Sequence, residues 1–228
     1  MVHGPPAPLL VLALLVTASS AAAQNVVVDE GTFRILRDGR AIGTETFAIR
    51  RVGQGTEARV IANADIELEL AEGTERIKPL LQAGSDLSLS AYQLEVSGRE
   101  PLEIAVTLSD RRLLARTRSP AGEQEREFRA TPGGVLLEQG VAHQYWFLSQ
   151  LEEGTAVTVL VPRAGAQDRI EVRSVRPETV TVAGAQVLAR HVTFAINRAV
   201  HEVWYDADGR VLRVRVPGTA FAAERTSR

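Results

Sequence analysis

Alternation of apolar and polar residues with a period of two runs through most of this chain and constrains its fold more than any other feature. It is clearest in two segments of the same form, strand, Asp-Gly turn and strand, at residues 31–49 and 200–216. An Asp-Gly pair tolerates the positive φ angles of a tight turn, and period-two alternation is typical of strands with one buried face. Both segments therefore predict antiparallel hairpins.

Further short alternating segments lie between the two hairpins and are separated by clusters of turn residues. They occupy residues 58–70, 75–82, 87–96, 102–108, 112–118, 125–130, 155–162, 168–175, 178–184 and 186–196. An even series of short strands favours an antiparallel meander over βαβ units. We predict a mainly β fold in which a curved antiparallel meander sheet forms a half-barrel. Because Pro79 cannot donate to a strand ladder, we expect an edge or a bulge at that position.

The pattern changes at residues 141–153, where Tyr145, Leu148 and Leu151 recur at helical spacing. Gly154 follows as a C-terminal stop signal. We therefore predict one short mid-chain helix that packs against the sheet.

The N-terminus carries the features of an export signal. An apolar run from residue 9 ends in small residues, and Ala21-Ala22-Ala23 fits the cleavage pattern just before Gln24. The run is shorter than the roughly 20 apolar residues of a membrane span, although an uncleaved anchor remains the alternative. We predict a signal peptide at residues 1–23 and a single antiparallel β domain at 24–228, located in the periplasm or outside the cell.

Composition narrows the classes of function. The chain has no cysteine, which excludes disulfides, thiol catalysis and thiolate metal sites. Its net charge of −2 gives no indication of nucleic-acid binding. Lys78 is the one lysine among 26 basic residues, and the arginines alternate with apolar residues as solvated strand positions do.

No catalytic or cofactor motif is present in the sequence. A G-x-S-x-G elbow, a Walker loop and a dinucleotide glycine pattern are all missing, so we predict no cofactor. His143, His191 and His201 match no zinc-ligand spacing. They are interpreted as isolated structural or surface residues, with metal binding and catalysis as alternatives. We predict neither metal ligands nor catalytic residues.

Aromatic residues are concentrated in two short stretches. Tyr145, Trp146 and Phe147 lie on the predicted helix, and Trp204 lies on the closing hairpin beside Tyr205. If the helix crosses a curved sheet, these side chains meet either in a filled core or around an apolar cavity. We name Tyr145, Trp146, Phe147 and Trp204 as candidate ligand-binding residues.

Two motifs carry a family resemblance. One is the hairpin at residues 203–214, V-W-Y-D-A-D-G-R-V-L-R-V, and the other is the opening G-x-F-x-I, which is followed by D-G and I-G-T-E-x-F-x-I. With the signal peptide and the single helix, the chain resembles exported half-barrel proteins of the lipoprotein-carrier superfamily and its related uncharacterised domain families. The resemblance covers most of residues 26–222. It implies a sheet bent around a cavity for acyl chains or another apolar ligand. The chain has less helix than the carriers have over that cavity.

Three hypotheses of function follow. The leading one is a non-enzymatic exported protein that binds a lipid or another apolar molecule in the concavity of its sheet. The second is an envelope scaffold that meets a protein partner through a sheet edge or a hairpin, which requires a filled core and an exposed apolar patch. The third is a hydrolase, which requires the three histidines to converge with an acidic residue.

Overall fold

The structure of the protein, a computed structural model, describes Met1 and residues 25–227. Apart from Met1, the predicted signal peptide and its cleavage site lie outside the described residues. Within the described residues, no helix combines the length and the apolar character needed to cross a membrane.

In the described part of the chain, fifteen strands form one sheet. Their bounds are β1 Asn25–Arg37, β2 Arg40–Val52, β3 Arg59–Leu70, β4 Gly73–Ala83, β5 Leu89–Ser97, β6 Leu102–Ser109, β7 Arg112–Ser119, β8 Gly122–Arg129, β9 Val135–Leu136, β10 Ala156–Val161, β11 Ala166–Val182, β12 Ala185–Ile196, β13 Ala199–Tyr205, β14 Val211–Val216 and β15 Phe221–Arg225. Three short 3₁₀ helices accompany them, at Gly55–Glu57, His143–Leu148 and Pro217–Thr219.

The strand order is that of two meanders joined by their outermost strands. The sheet runs from β8 back to β1, continues through β15 and then runs back to β9. The joining pair is antiparallel, with Phe33 of β1 opposite Arg225 of β15. The prediction of a mainly β, antiparallel meander is confirmed, with one exception, since β9 pairs parallel to β10.

The sheet curls until its two ends approach one another, although no strand ladder closes it. Its edge strands are β8 and β9. The Arg126 side chain of β8 donates a hydrogen bond to the carbonyl oxygen of Gly165, and the Gln167 side chain of β11 donates to that of Arg129. The result is a barrel-like sheet with a seam joined by side chains.

Residues 137–149, which we call the interior segment, fill the space inside this sheet. Their 3₁₀ helix contacts β3 and β14, which belong to different meanders. Val141, Ala142 and Leu148 pack in the same continuous apolar cluster as Phe33 of β1 and Val214 of β14. The protein's own side chains therefore fill the concavity.

The predicted mid-chain helix exists, but it is shorter and tighter than residues 141–153. It spans His143–Leu148 as a 3₁₀ helix. All six of its side chains are buried, so the helix has no solvent-exposed face. A segment that the sheet surrounds on several sides is buried all round, so its sequence lacks the contrast between an apolar and a polar face from which the length of an α-helix is predicted.

The prediction about Pro79 and one predicted strand boundary are wrong. β4 is an interior strand, and Pro79 is accommodated because the β3–β4 ladder is interrupted between the pairs Asn63–Leu80 and Ile66–Ile77. The predicted strands at 168–175 and 178–184 form the single strand β11, which passes through Pro177. Pro177 lies opposite Arg190, a position at which the missing N–H faces away from β12, so the strand continues.

Candidate functional site

Glu45 on β2 anchors the interior segment. Its carboxylate accepts hydrogen bonds from the backbone N–H groups of Ala142 and His143, each at 2.8 Å. It also lies 2.7 Å from Nδ1 of the His143 ring, and both side chains are fully buried. Because a buried carboxylate is stable only among hydrogen-bond donors, this arrangement ties the segment to the inner face of the sheet.

A second anchor joins the interior segment to β13. The Tyr145 hydroxyl lies 2.6 Å from Nδ1 of His201, and the Tyr205 hydroxyl donates to the carbonyl oxygen of Tyr145 at 2.8 Å. Burial lowers the pKa of His201 to about 4, so its ring is neutral at pH 7 and accepts a hydrogen bond from Tyr145. Burial also raises the pKa of the Tyr145 hydroxyl, which keeps it protonated. The contact is therefore a pair of neutral groups.

A third anchor is built around Glu138. Its backbone N–H donates to Oε1 of Gln144 at 2.6 Å, and its carboxylate accepts from Nε of Arg163 at 2.7 Å. Nearby, burial and then the charge of Glu138 raise the pKa of the Tyr92 hydroxyl well above its usual value. These polar groups of the interior are engaged in holding the segment in place.

The three histidines of residues 24–228 do not converge. His143 and His201 lie inside the sheet with separate partners, whereas His191 lies on its outer face and stacks on Trp204 at 4.1 Å between ring centroids. In the part of the chain that the structure describes, no group of three or more His, Cys, Asp or Glu side chains is arranged to hold a metal ion. The convergence that the hydrolase hypothesis requires does not occur.

The structure separates the four candidate ligand-binding residues. Tyr145, Trp146 and Phe147 are buried together inside the sheet, where the Trp146 and Phe147 rings meet edge to face at 5.2 Å. Trp204 is buried on the outer face, because it alternates with the inward-facing Val203 and Tyr205. The two tryptophans therefore line no common cavity.

Trp204 belongs to a small apolar cluster outside the main core. Its companions are Val180, Val182, Ala189 and Leu212, with Val187 packed against them. The Arg213 guanidinium lies 5.6 Å from the Trp204 ring centroid on the same outer face. A second apolar cluster of this kind indicates that another element folds over the outer face of β13 and β14.

That element is the distal half of the β11–β12 hairpin, residues 176–189, which we call the arm. β10 pairs with β11 only over residues 166–171, and β13 pairs with β12 only from Arg190 onwards. The arm therefore extends past both of its neighbours. Its Val180, Val182 and Ala189 pack against Trp204 and Leu212, and we call these five residues the outer-face cluster.

A groove of about 470 Å³ lies between the arm and the turn that joins β13 to β14. We call it the arm groove. Its lining residues are Val182, Gln186, Val187, Leu188, Asp206, Arg210, Leu212 and Arg225. Leu188 is 70% exposed, more than any other large apolar residue between 25 and 227. The arm groove thus has an apolar floor, formed by Val182, Val187 and Leu212, and an exposed apolar wall, formed by Leu188.

The two arginines that line the arm groove differ in how closely carboxylates pair with them. The buried Arg225 guanidinium donates to both carboxylate oxygens of Asp29, at 3.1 and 2.7 Å, and to the carbonyl oxygen of Val211. Arg210 is more exposed, and its nearest carboxylates are Asp208 at 3.6 Å and Asp29 at 4.0 Å. Arg210 is therefore the cation of this groove that remains accessible to a ligand.

Sequence reasoning missed the buried Glu45 and Asp29. The sequence nevertheless contains a signal for each. Glu45 is an even number of residues from Phe47 and Ile49, and Asp29 is an even number of residues from Phe33, so strand alternation places each carboxylate on the same face as these apolar residues. A carboxylate in phase with the apolar face of a strand predicts a buried, hydrogen-bonded group.

No protein-family model matches the chain, and no curated protein matches it. A solved structure to which it is similar is a β-barrel-like protein of the domain of unknown function DUF1849 from Brucella abortus. The two share 9% identity over 86% of this chain and 93% of that chain, with a TM-score of 0.46. These comparisons do not confirm the resemblance to the lipoprotein-carrier superfamily, which stays a prediction.

Proposed function

We propose that this protein is an exported, non-enzymatic binding protein that takes an apolar ligand in the arm groove. The supporting observation is the contrast between the two faces of the sheet. The concavity is filled by the interior segment, whereas the outer-face cluster opens into a groove with an exposed leucine. Export rests on the N-terminal sequence alone.

The interior is the less favourable place for a ligand. A molecule there would have to displace Tyr145, Trp146, Phe147 and Leu148, and re-exposing a fully buried apolar side chain costs about 1.5–3 kcal/mol. It would also have to break the hydrogen bonds at Glu45 and His201. Ligand contact by Tyr145, Trp146 and Phe147 stays a prediction that requires the interior segment to leave.

The two tryptophans provide a test of where a ligand binds. Trp204 packs with Val182, Val187 and Leu212, which line the arm groove, whereas Trp146 lies inside the sheet. We expect a fatty acid or a phospholipid bound in the groove to change the tryptophan emission of the wild type and of Trp146→Phe. The change is expected to disappear in Trp204→Phe.

Substitution of the exposed groove wall complements this measurement. Leu188→Asp is expected to weaken binding, whereas Leu114→Asp on β7 is the matched control because Leu114 is 47% exposed and far from the groove in the strand order. A response that survives in Trp204→Phe and is lost in Trp146→Phe would contradict the proposal and favour an interior site. Absence of a response to these lipids, and to the peptides described below, would also overturn it.

A further inference from the structure

One side of the arm presents an unpaired strand edge to the arm groove. Ala185–Ala189 of β12 pair with β11, but β13 leaves the sheet at Tyr205, opposite Arg190. The hairpin turn has two residues, Ala183 and Gly184, both with positive φ. In such a hairpin the flanking pair Val182–Ala185 is hydrogen-bonded, and the pattern then alternates.

This alternation determines which main-chain groups face the groove. Ala185, Val187 and Ala189 direct their N–H and C=O groups towards β11, so Gln186 and Leu188 direct theirs towards the groove. Among the described residues these groups have no hydrogen-bond partner. They provide two donors and two acceptors in the spacing of a β-ladder.

The free edge of β12 in the arm lacks the protection that the edge strand β8 carries. The exposed edge strand β8 has the sequence G-E-Q-E-R-E-F-R, in which charged residues oppose pairing with another strand. The edge at Gln186, Val187 and Leu188 carries no charge. An uncharged open edge beside apolar side chains is the arrangement to which extended peptides add as an extra strand.

We propose that the apolar ligand of the arm groove is an extended segment of a partner protein that adds to the free edge of β12. This inference rests on the proposed function, since it names the class of ligand for the same groove. A residue opposite Val187 would direct its side chain over Leu212, and a residue opposite Leu188 would direct its side chain to the other face of the arm. An apolar side chain suits both positions.

Charge complementarity adds one further feature to the partner. Arg210 is the accessible cation of the groove, while Asp206 accepts hydrogen bonds from the backbone of its own turn, at Asp208 and Arg210. A carboxylate on the peptide is therefore expected to pair with Arg210. The expected ligand is an extended, apolar segment that carries one acidic group.

The test begins with a displayed library of random seven-residue peptides, selected on wild-type protein and counter-selected on Leu188→Asp. We expect the enriched peptides to be apolar with one acidic residue. The dissociation constant of one enriched synthetic peptide is then measured against Leu188→Ala, which removes the side chain, and against Leu188→Pro, which also removes the edge N–H. The arm tolerates proline here because this N–H does not pair with β11.

Methylation of single backbone nitrogens of the peptide provides a measurement that leaves the protein unchanged. If the peptide pairs with the edge, methyl groups at alternate nitrogens weaken binding by about tenfold or more, and those at the intervening nitrogens do not. Leu188→Pro is expected to bind more weakly than Leu188→Ala, and Leu114→Ala is expected to bind as the wild type does.

Two results would overturn this inference. One is peptide binding that is insensitive to methylation at every nitrogen. The other is lipid binding in the groove without any enriched peptide, which would leave the proposed function standing with a lipid as ligand. If neither lipids nor peptides bind at the groove, the proposed function fails as well.

Discussion

The buried carboxylates of Asp29, Glu45 and Glu138 each accept several hydrogen bonds. Glu45 receives two backbone donors and lies against His143, while Glu138 binds Arg163 and the backbone N–H of Gln139. The cost of removing such groups from water is offset only while these partners are present. The interior segment is therefore held in one position by specific polar contacts in addition to apolar burial.

His201 makes stability dependent on pH. Its pKa is lowered to about 4 in the folded protein by burial, from 6.5 in the unfolded chain. Between these values the unfolded chain takes up a proton that the folded protein does not, so the free energy of unfolding falls as the pH falls from 6.5 to 4. The full loss is up to about 3 kcal/mol.

Urea unfolding at several pH values measures this effect. We expect the loss between pH 6.5 and 4 to be smaller in His201→Gln than in the wild type. Tyr145→Phe should retain the wild-type loss, because burial and not the hydroxyl lowers the pKa. An equal loss in wild type and His201→Gln would contradict the assignment.

The residue-level predictions from sequence were accurate where the alternation of side chains along a strand alone decides burial. This alternation places Phe33 and Phe47 on the inner face and most arginines at exposed positions. It does not reveal which face of a late strand is inward, and Trp204 lies outward beside the inward Tyr205. Pairing of Asp29 with Arg225 joins residues at opposite ends of the described chain, and no local pattern identifies such a partner.

At the scale of elements, the edge strand β8 and the free edge of β12 in the arm differ in their protection. On β8, Glu123, Glu125 and Glu127 pair with arginines of β7 and keep an exposed strand charged. We expect the triple substitution of these glutamates by valine to produce self-association, because it leaves a β-prone, apolar edge.

Light scattering over a range of protein concentrations checks this expectation. Glu67→Val with Glu69→Val is the matched control, because these exposed glutamates lie on β3, an interior strand with both edges paired. Self-association of the control to the same extent would show that surface hydrophobicity, not the open edge, is responsible.

Elements with strict alternation were predicted from sequence, including both Asp-Gly hairpins, but the opening hairpin extends from Asn25 to Val52 and is longer than the predicted residues 31–49. β11 was instead predicted as two strands, at residues 168–175 and 178–184, on either side of Pro177. Whether a proline interrupts a strand depends on which neighbouring strands need its N–H, and this is not visible in the sequence. The length of the interior 3₁₀ helix was also overestimated, since complete burial removes the periodic contrast by which a helix end is recognised.

For the whole molecule, the contact between β1 and β15 joins the two meanders. The ion pair of Asp29 and Arg225 lies at this junction, and its side chains are 2% and 3% exposed. We expect Arg225→Ala to lower the free energy of unfolding by about 3–5 kcal/mol, because it leaves Asp29 buried without its cation.

Urea denaturation of three variants tests this explanation. The double variant Asp29→Leu with Arg225→Met is expected to lose less stability than Arg225→Ala, because it removes both charges. Arg34→Ala, which breaks the exposed pair with Glu224, is expected to cost no more than about 1 kcal/mol. Equal losses in the single and the double variant would attribute the effect to packing alone.

The junction of β1 with β15 also sets the time at which the chain can complete its fold during synthesis. Thr32 and Thr226 meet there through a backbone hydrogen bond across 194 residues of chain. Until Phe221–Arg225 have left the ribosome, β1 has no neighbour on one side, and Asp29 has no Arg225. Contacts of such long range slow folding and prolong the exposure of a growing sheet. The newly made chain therefore depends, for most of its synthesis, on whatever shields that first strand from other chains.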